Sequence, residues 1–201
     1  MRKLNEKQIV LASHNKGKLK EIGHLLKPFG ISVISASDLG LNEPEETENT
    51  YAGNARIKAH FAAKASGKPA LSDDSGFSVE ILDGAPGVYS ADWAETSNGR
   101  NFSMAMSKVW DKIQHAEKPC KAKFCCTLCL AWPDGHDELF EGSINGEIVW
   151  PPRGNNGFGY DPMFIAEGMH QTFGEMLPTD KHLISHRADA FKKLIKTFEK
   201  E

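Results

Sequence analysis

Residues 8–36, QIVLASHNKGKLKEIGHLLKPFGISVISA, decide the fold class. Gln8 to Ala12 reads as a short buried strand, and Leu19, Ile22, Leu25 and Leu26 follow at helical spacing. Pro28-Phe29-Gly30 ends that helix, and Ile31 to Ala36 has the β-branched alternation of a second strand. Strand, polar loop, helix, strand is a crossover unit, which predicts an α/β fold. The loop itself is Ser13-His14-Asn15-Lys16-Gly17-Lys18. In an open α/β sheet it sits at the carboxyl end of a strand, where helix N-terminal N–H groups and nearby ammonium groups suit phosphate oxygens. A solvated turn with a Ser or Asn cap is the competing reading. The string matches neither G-x-x-x-x-G-K-[ST] nor G-x-G-x-x-G.

Further along, Tyr51 to Ala65 reads as a helix stopped by Gly67-Lys68-Pro69. Ala70-Leu71-Ser72 is then a short strand ending in Asp73-Asp74-Ser75-Gly76, and Phe77 to Leu82 a further strand. Asn101 to Gln114 is an amphipathic helix with Phe102, Met106, Val109 and Ile113 on one side. Lys121 to Trp132 and Asp137 to Ile148 form a hairpin about Pro133-Asp134-Gly135-His136. Pro151 to Gly159 is an irregular loop, and Ser185 to Lys200 closes the chain as a helix. No internal repeat, long linker or low-complexity tail interrupts this order, so one domain over residues 1–201 is expected.

Composition narrows the class. The 201 residues carry 24 Lys plus Arg against 27 Asp plus Glu, a formal charge of -3, with 40% hydrophobic and 25% charged residues. A chain of this size buries about 70% of its unfolded surface, enough for a self-sufficient core. The balance excludes disordered, collagen-like and membrane-embedded classes and disfavours a dedicated nucleic-acid binder, while a small anionic ligand needs only a few local cations. Ile9 to Ala12 is too short for a signal h-region and no stretch could span a bilayer, so the expected compartment is the cytoplasm. Cys120, Cys125, Cys126 and Cys129 lie too close together to staple the domain and read as reduced, buried thiols. Cys126-Thr127-Leu128-Cys129 fits C-x-x-C but lacks the second pair that a structural zinc site needs.

Four features could carry chemistry. Beside the 13–18 loop stand the carboxylates: Glu43, Glu45, Glu46 and Glu48 in one loop, Asp73 and Asp74 at a strand end. Such oxygen ligands suit Mg²⁺, which uses one or two carboxylates together with substrate phosphates. Gly154-Asn155-Asn156-Gly157-Phe158-Gly159-Tyr160-Asp161 flanks two aromatics with small residues, so an aromatic face could stack on a planar base; a glycine-rich connection with one core aromatic is the alternative. Ser185-His186-Arg187, with Lys181 a turn upstream, puts cationic groups at a helix start, which an acceptor-rich ligand would favour and a Ser185 cap would equally explain.

SHNKGKLKEI (13–22), EETENTYAGNARIKA (45–59), SDDSGFSVEILDGAPGVYSA (72–91), GNNGFGYDPMF (154–164) and SHRADA (185–190) together resemble the inosine triphosphate pyrophosphatase family, in order and over nearly the whole chain. The resemblance implies an elongated mixed α/β fold of two lobes with the active-site cleft between them, usually a homodimer. It also implies hydrolysis of dITP, ITP and XTP to monophosphate and pyrophosphate with Mg²⁺. Carried over, Ser13, His14, Asn15, Lys16, Gly17 and Lys18 would bind the triphosphate. Asp74 would be proton acceptor and metal ligand, with Glu45, or its neighbour Glu46, as second ligand and Ser75 on the substrate. Phe158, Gly159, Tyr160, Asp161, Lys181, His186 and Arg187 would hold the base and its surroundings. The chain departs from the family in having Ser13-His14-Asn15 for the frequent Thr-Gly-Asn, and Glu48 for a frequent Gly. A pyrophosphatase for other modified nucleotides and a nucleotide-binding module without turnover stand as alternatives.

Overall fold

The computed structural model describes residues 2–14 and 16–198. Asn15 lies outside them, and for Lys16 only the backbone is described. Strands β1 (Gln8–Leu11), β2 (Ser32–Ser35) and β3 (Ala70–Val79) flank helices α1 (Lys16–Leu26) and α2 (Tyr51–Ser66). Short β4 (Pro86–Gly87), β5 (Glu95–Thr96) and β6 (Gly99–Arg100) precede α3 (Phe102–Ile113), the long pair β7 (Lys121–Ala131) and β8 (Asp137–Ile148), and β9 (Phe164–Ala166). Helices α4 (Pro178–Ile184) and α5 (His186–Leu194) end the chain. The main sheet has seven strands in the order β2-β1-β3-β7-β8-β9, with β4 paired to β3. It is mixed: β1 runs parallel to β2 and β3, whereas β4 on β3 and β9 on β8 are antiparallel. This is the α/β class the opening crossover predicts.

Two compact units share the chain: residues 1–74, 126–141 and 190–201 form one, residues 75–125 and 142–189 the other. In the first, strand alternation feeds two cores. Ile9, Leu11, Leu71, Leu128 and Leu130 pack with Ile22 and Leu26 of α1 and Phe191 and Leu194 of α5. Val10, Ala70, Cys129 and Ala131 pack with Ala55, Ala59, Ala62 and Ala63 of α2. Strands covered on both faces read as continuous apolar runs, which is why Gln8 to Ala12 shows no alternation. In the second unit Phe77, Phe124, Tyr160, Phe164 and Phe173 form an aromatic core beside Met106, Val109 and Ile113 of α3.

Helix limits follow the capping rules. Thr50 accepts a hydrogen bond from Gly53 N and Gly67 closes α2 in the left-handed conformation; Asn101 caps α3 by accepting from Met104 N. The β7–β8 connection turns where Asp134-Gly135 predicts, with Trp132 N donating to His136 O at 2.9 Å and Gly135 at φ 91°. Two expectations are corrected. The strands predicted at Ala70 to Ser72 and Phe77 to Leu82 are one strand, β3, which runs unbroken through Asp73-Asp74-Ser75-Gly76 and gives way to a 3₁₀ turn at Glu80–Leu82. The helix predicted over Ser185 to Lys200 is shorter: α5 starts at His186, ends at Leu194 and passes into a 3₁₀ turn at Ile195–Thr197, while residues 199 and 200 lie outside the described residues; ahead of it stands α4, which the sequence reading did not predict and which Ser185, extended at ψ 159°, sets apart from α5. Ser185 Oγ accepts from Ala188 N at 3.2 Å, so it caps α5, as the competing reading of that string requires. All four cysteines are free thiols; three are buried, Cys125 only half so.

Candidate active site

In the first unit, parallel pairing sets the geometry. Val10 and Leu11 stand opposite Ala70 and Leu71, and Ala12 N donates to Leu71 O at 2.8 Å. Ser13 and the start of α1, just past this register at the end of β1, are therefore brought beside Asp73 and Asp74, which follow it within β3. Ser13 is buried, His14 and Gly17 are exposed, and Lys18 on the first turns of α1 reaches back to β3. Its Nζ pairs with Asp73 Oδ1 and lies 3.5 Å from the Asp73 carbonyl oxygen.

Asp74 is also buried, and its partner comes from α2. Lys58 Nζ donates to Asp74 Oδ1 at 3.1 Å and to Glu46 Oε1 at 2.6 Å. One turn earlier on the same face, Asn54 Oδ1 accepts from Glu48 N at 3.0 Å. Helix α2 thus anchors the acidic loop through Asn54 and joins it to Asp74, in the middle of β3, through Lys58. Gly53 lets the loop approach: a Cβ there would stand 2.5 Å from Glu48 Cβ. That is the local reason Glu48 is tolerated.

Burial pushes the Asp74 carboxyl up to about 6, and the charge of Glu46 adds to this against the opposing pull of Lys58 and Lys18. For Lys58 burial works against the charge, but Asp74 and Glu46 outweigh it and hold its pKa above the ordinary lysine value. Asp74 Oδ2 is a buried acceptor with no partner among the described residues. An unsatisfied carboxylate oxygen beside a second carboxylate is a donor set that fits a hard cation. Among the described residues no three His, Cys, Asp or Glu side chains converge as a metal site, so such a cation would complete its coordination with substrate oxygens and water. Both glutamates left open by the sequence are exposed, and Glu46 is the one joined to Asp74 through Lys58.

Sequence reasoning missed Lys58. It lies on the buried stripe Ala55, Lys58, Ala59, Ala62 of α2, at i, i+3, i+4 and i+7, and a lysine on an otherwise alanine-lined core face was the available signal.

The second unit holds the remaining candidates. Ser75 is half-buried, and its Oγ accepts from Arg187 Nη2 at 3.3 Å. Arg187, at the start of α5, is 1% exposed, and His186 stacks on Phe124 with centroids 5.0 Å apart and planes 14° from parallel. In the 154–161 loop the two aromatics part company. Phe158 is 48% exposed, whereas Tyr160 is 2% exposed, stacks on Phe77 and donates its hydroxyl to Ser90 O at 3.0 Å. Asp161 Oδ2 accepts from Phe158 N at 2.8 Å and from Lys181 Nζ at 2.5 Å, and that ammonium lies 5.0 Å from the Phe158 ring centroid. Gly157, at φ 74°, leaves room for the carboxylate, since a Cβ there would meet Asp161 Oδ2 at 2.1 Å. Tyr160, Asp161 and Lys181 therefore fix the loop, and Phe158 is its exposed flat face. Gly159 turns the chain between the two aromatics at φ 69°.

Comparison with known proteins gives the family. The family model described as Ham1 family matches residues 9–197. The dITP/XTP pyrophosphatase of Ruegeria pomeroyi is 60% identical over 94% of this chain and 93% of its own length, and that of Agrobacterium fabrum 56% identical over 98% of each. Among solved structures, a HAM1 protein from Coxiella burnetii superposes with a TM-score of 0.88 at 36% identity, covering 95% of this chain and 98% of its own. The Staphylococcus aureus Ham1 protein gives 0.84 at 34% identity, covering 94% and 96%. With a match from residue 9 to residue 197 and relatives more than half identical along nearly their whole length, the chain belongs to the Ham1 family.

Proposed function

We propose that this chain is a nucleoside triphosphate pyrophosphatase that hydrolyses dITP, ITP and XTP to the monophosphate and pyrophosphate, clearing non-standard purines from the nucleotide pool. The observation that carries this reading is Asp74: a buried carboxylate with one oxygen on Lys58, the other without a partner among the described residues, and a pKa raised to about 6. A carboxylate so tuned suits a base working near neutral pH. The names of the curated relatives supply the substrate class.

Each group then has a task. Lys18 and Ser13, with the N–H groups opening α1, would hold the triphosphate, together with His14, Asn15, Lys16 and Gly17 of the same loop. Asp74 Oδ2 would orient or deprotonate the attacking water, while Lys58 holds the carboxylate still. Asp74 and Glu46 would hold Mg²⁺, with Glu45 next to Glu46 in the loop. Bound there, the ion supplies charge neutralisation at the phosphoryl oxygens. Ser75 would contact the substrate. Phe158 would stack on the base, and His186 and Arg187 would donate to the 6-oxo oxygen that hypoxanthine and xanthine carry and adenine lacks. An adenine amino group would set donor against donor, a mismatch that sites of this kind reject strongly.

A homodimer in the cytoplasm completes the reading. It is supported by the family resemblance, by free cysteines and by the finding that no helix among the described residues is long and apolar enough to cross a membrane. A Mg²⁺-dependent rate panel over ITP, dITP, XTP, GTP and ATP tests it. Turnover concentrated on the first three is expected; equal rates on ATP would refute the base reading, and binding of ITP without turnover would make the chain a binding module.

A further inference from the structure

The proposed roles leave the buried carboxylate of Asp73, and the buried thiol that meets it, without a task. Asp73 precedes Asp74 in β3, and its side chain has no exposed surface. A carboxylate enclosed like this is tolerated only if its oxygens are engaged. Lys18 Nζ pairs with Oδ1, and Cys126 Sγ donates to Oδ2 at 3.1 Å. Cys126 sits on β7, which neighbours β3 in the sheet, and is 1% exposed among Ile9, Leu71 and Leu128. A thiol is a weak donor in general, but donation to an ionised carboxylate in apolar surroundings is charge-assisted and strengthened. Cys129, three residues on, is a useful contrast: it faces the alanine core of α2, and burial pushes its thiol up to about 12.

We propose that Cys126 is a positioning residue for polyphosphate binding: its S–H fixes the Asp73 carboxylate, which fixes the Lys18 ammonium beside the 13–18 loop. The proposal rests on the reading of Lys18 as a phosphate-binding group. The physical reason is preorganisation. Lysine carries a compact charge on a flexible four-carbon stem, so aiming it costs rotamer entropy at the moment of binding unless the fold has aimed it beforehand. With one oxygen on Lys18 and the other on the thiol, Asp73 cannot swing about its terminal torsion and Lys18 keeps its direction. Without the thiol the carboxylate can turn, the ammonium samples other rotamers, and phosphate affinity falls. Asp74 keeps its own partners on α2, so turnover at saturation changes little.

The test compares Cys126→Val, Cys126→Ser, Cys129→Ala and Lys18→Ala in the full chain, reading KM and kcat for ITP with Mg²⁺ and Ki for inorganic tripolyphosphate, a probe without a base. Loss of a supporting outer partner should raise KM and Ki about tenfold in Cys126→Val, with kcat changed less than about twofold. Cys126→Ser restores a donor and should return both constants to near the parent values, and Cys129→Ala should leave them there. If Cys126→Val does not fold, Cys126→Ala, smaller and equally without a donor, carries the same comparison. Parent-like KM and Ki in the valine variant, while Lys18→Ala raises both, would overturn the inference alone. So would equal losses in the valine and serine variants, or the same loss in Cys129→Ala, since those mark packing. Unchanged constants in Lys18→Ala would overturn the phosphate reading of Lys18 and this inference with it.

Discussion

Asp74 is held at a cost to the fold. Its carboxyl is raised to about 6, mainly by burial and then by Glu46, so the native state binds the proton more tightly than the unfolded chain does. Stability therefore falls as pH rises from an ordinary carboxyl pKa towards 6, and the full penalty persists above that. Asp74→Asn should abolish turnover and, in metal-free protein at pH 8, raise stability by on the order of 2 kcal/mol, or roughly 5 °C in melting temperature. Calorimetry at pH 8 and at pH 4 checks the sign: the gain should vanish at the lower pH. The same value sets the acid limb of kcat/KM, which should fall below about pH 6 as Asp74 takes up its proton. Lys58 opposes the raised pKa, so Lys58→Met should move that limb to higher pH; a limb that stays in place would detach Asp74 from the proton step.

Among the elements, α2 shows how a rule of thumb reverses in context. Gly→Ala inside a helix ordinarily gains about 1 kcal/mol. Here a Cβ at residue 53 would meet Glu48 Cβ at 2.5 Å and Cγ at 2.7 Å, contacts that neither backbone can easily relieve. Gly53→Ala should destabilise by about 1–2 kcal/mol, and Glu48→Gly should cancel most of that loss; additive losses in the double variant would show no coupling. Local signals made β1, α1, β2, α2, α3 and the β7–β8 hairpin legible, because apolar period, capping residues and Asp-Gly turn chemistry act within a few residues. The continuity of β3 was hidden. Asp and Gly are poor strand formers, and a strand through Asp73 and Asp74 is possible only because Lys18, Cys126 and Lys58 meet the two carboxylates from elsewhere in the chain. Helix α4 is only seven residues long, and no apolar period sets it apart from the α5 signal. Lys58 was hidden for the converse reason: its chemistry depends on a loop and a strand that no helical pattern reveals.

Across the whole molecule the candidate residues divide between the two compact units. Ser13, Lys18, Glu46, Lys58 and Asp74 belong to the first; Ser75, Phe158, Lys181, His186 and Arg187 belong to the second. The proposed roles divide in the same way, phosphate and water chemistry in one and base reading in the other. Lys18→Ala should therefore raise KM for ITP and ATP alike, by about tenfold, whereas Arg187→Ala should lower the ITP-to-ATP ratio of kcat/KM by about tenfold or more. Equal losses on both nucleotides in Arg187→Ala would remove it from base reading. The motif strings gave most of these residues from sequence because each is a local signature; Lys58 and the preference for Glu46 over Glu45 emerged only from side chains meeting across the fold. The most direct test of the central claim is the product released from ITP by the purified chain with Mg²⁺, with pyrophosphate and orthophosphate quantified separately. The account predicts one pyrophosphate for each monophosphate and no orthophosphate; orthophosphate release with inosine diphosphate accumulating would contradict it.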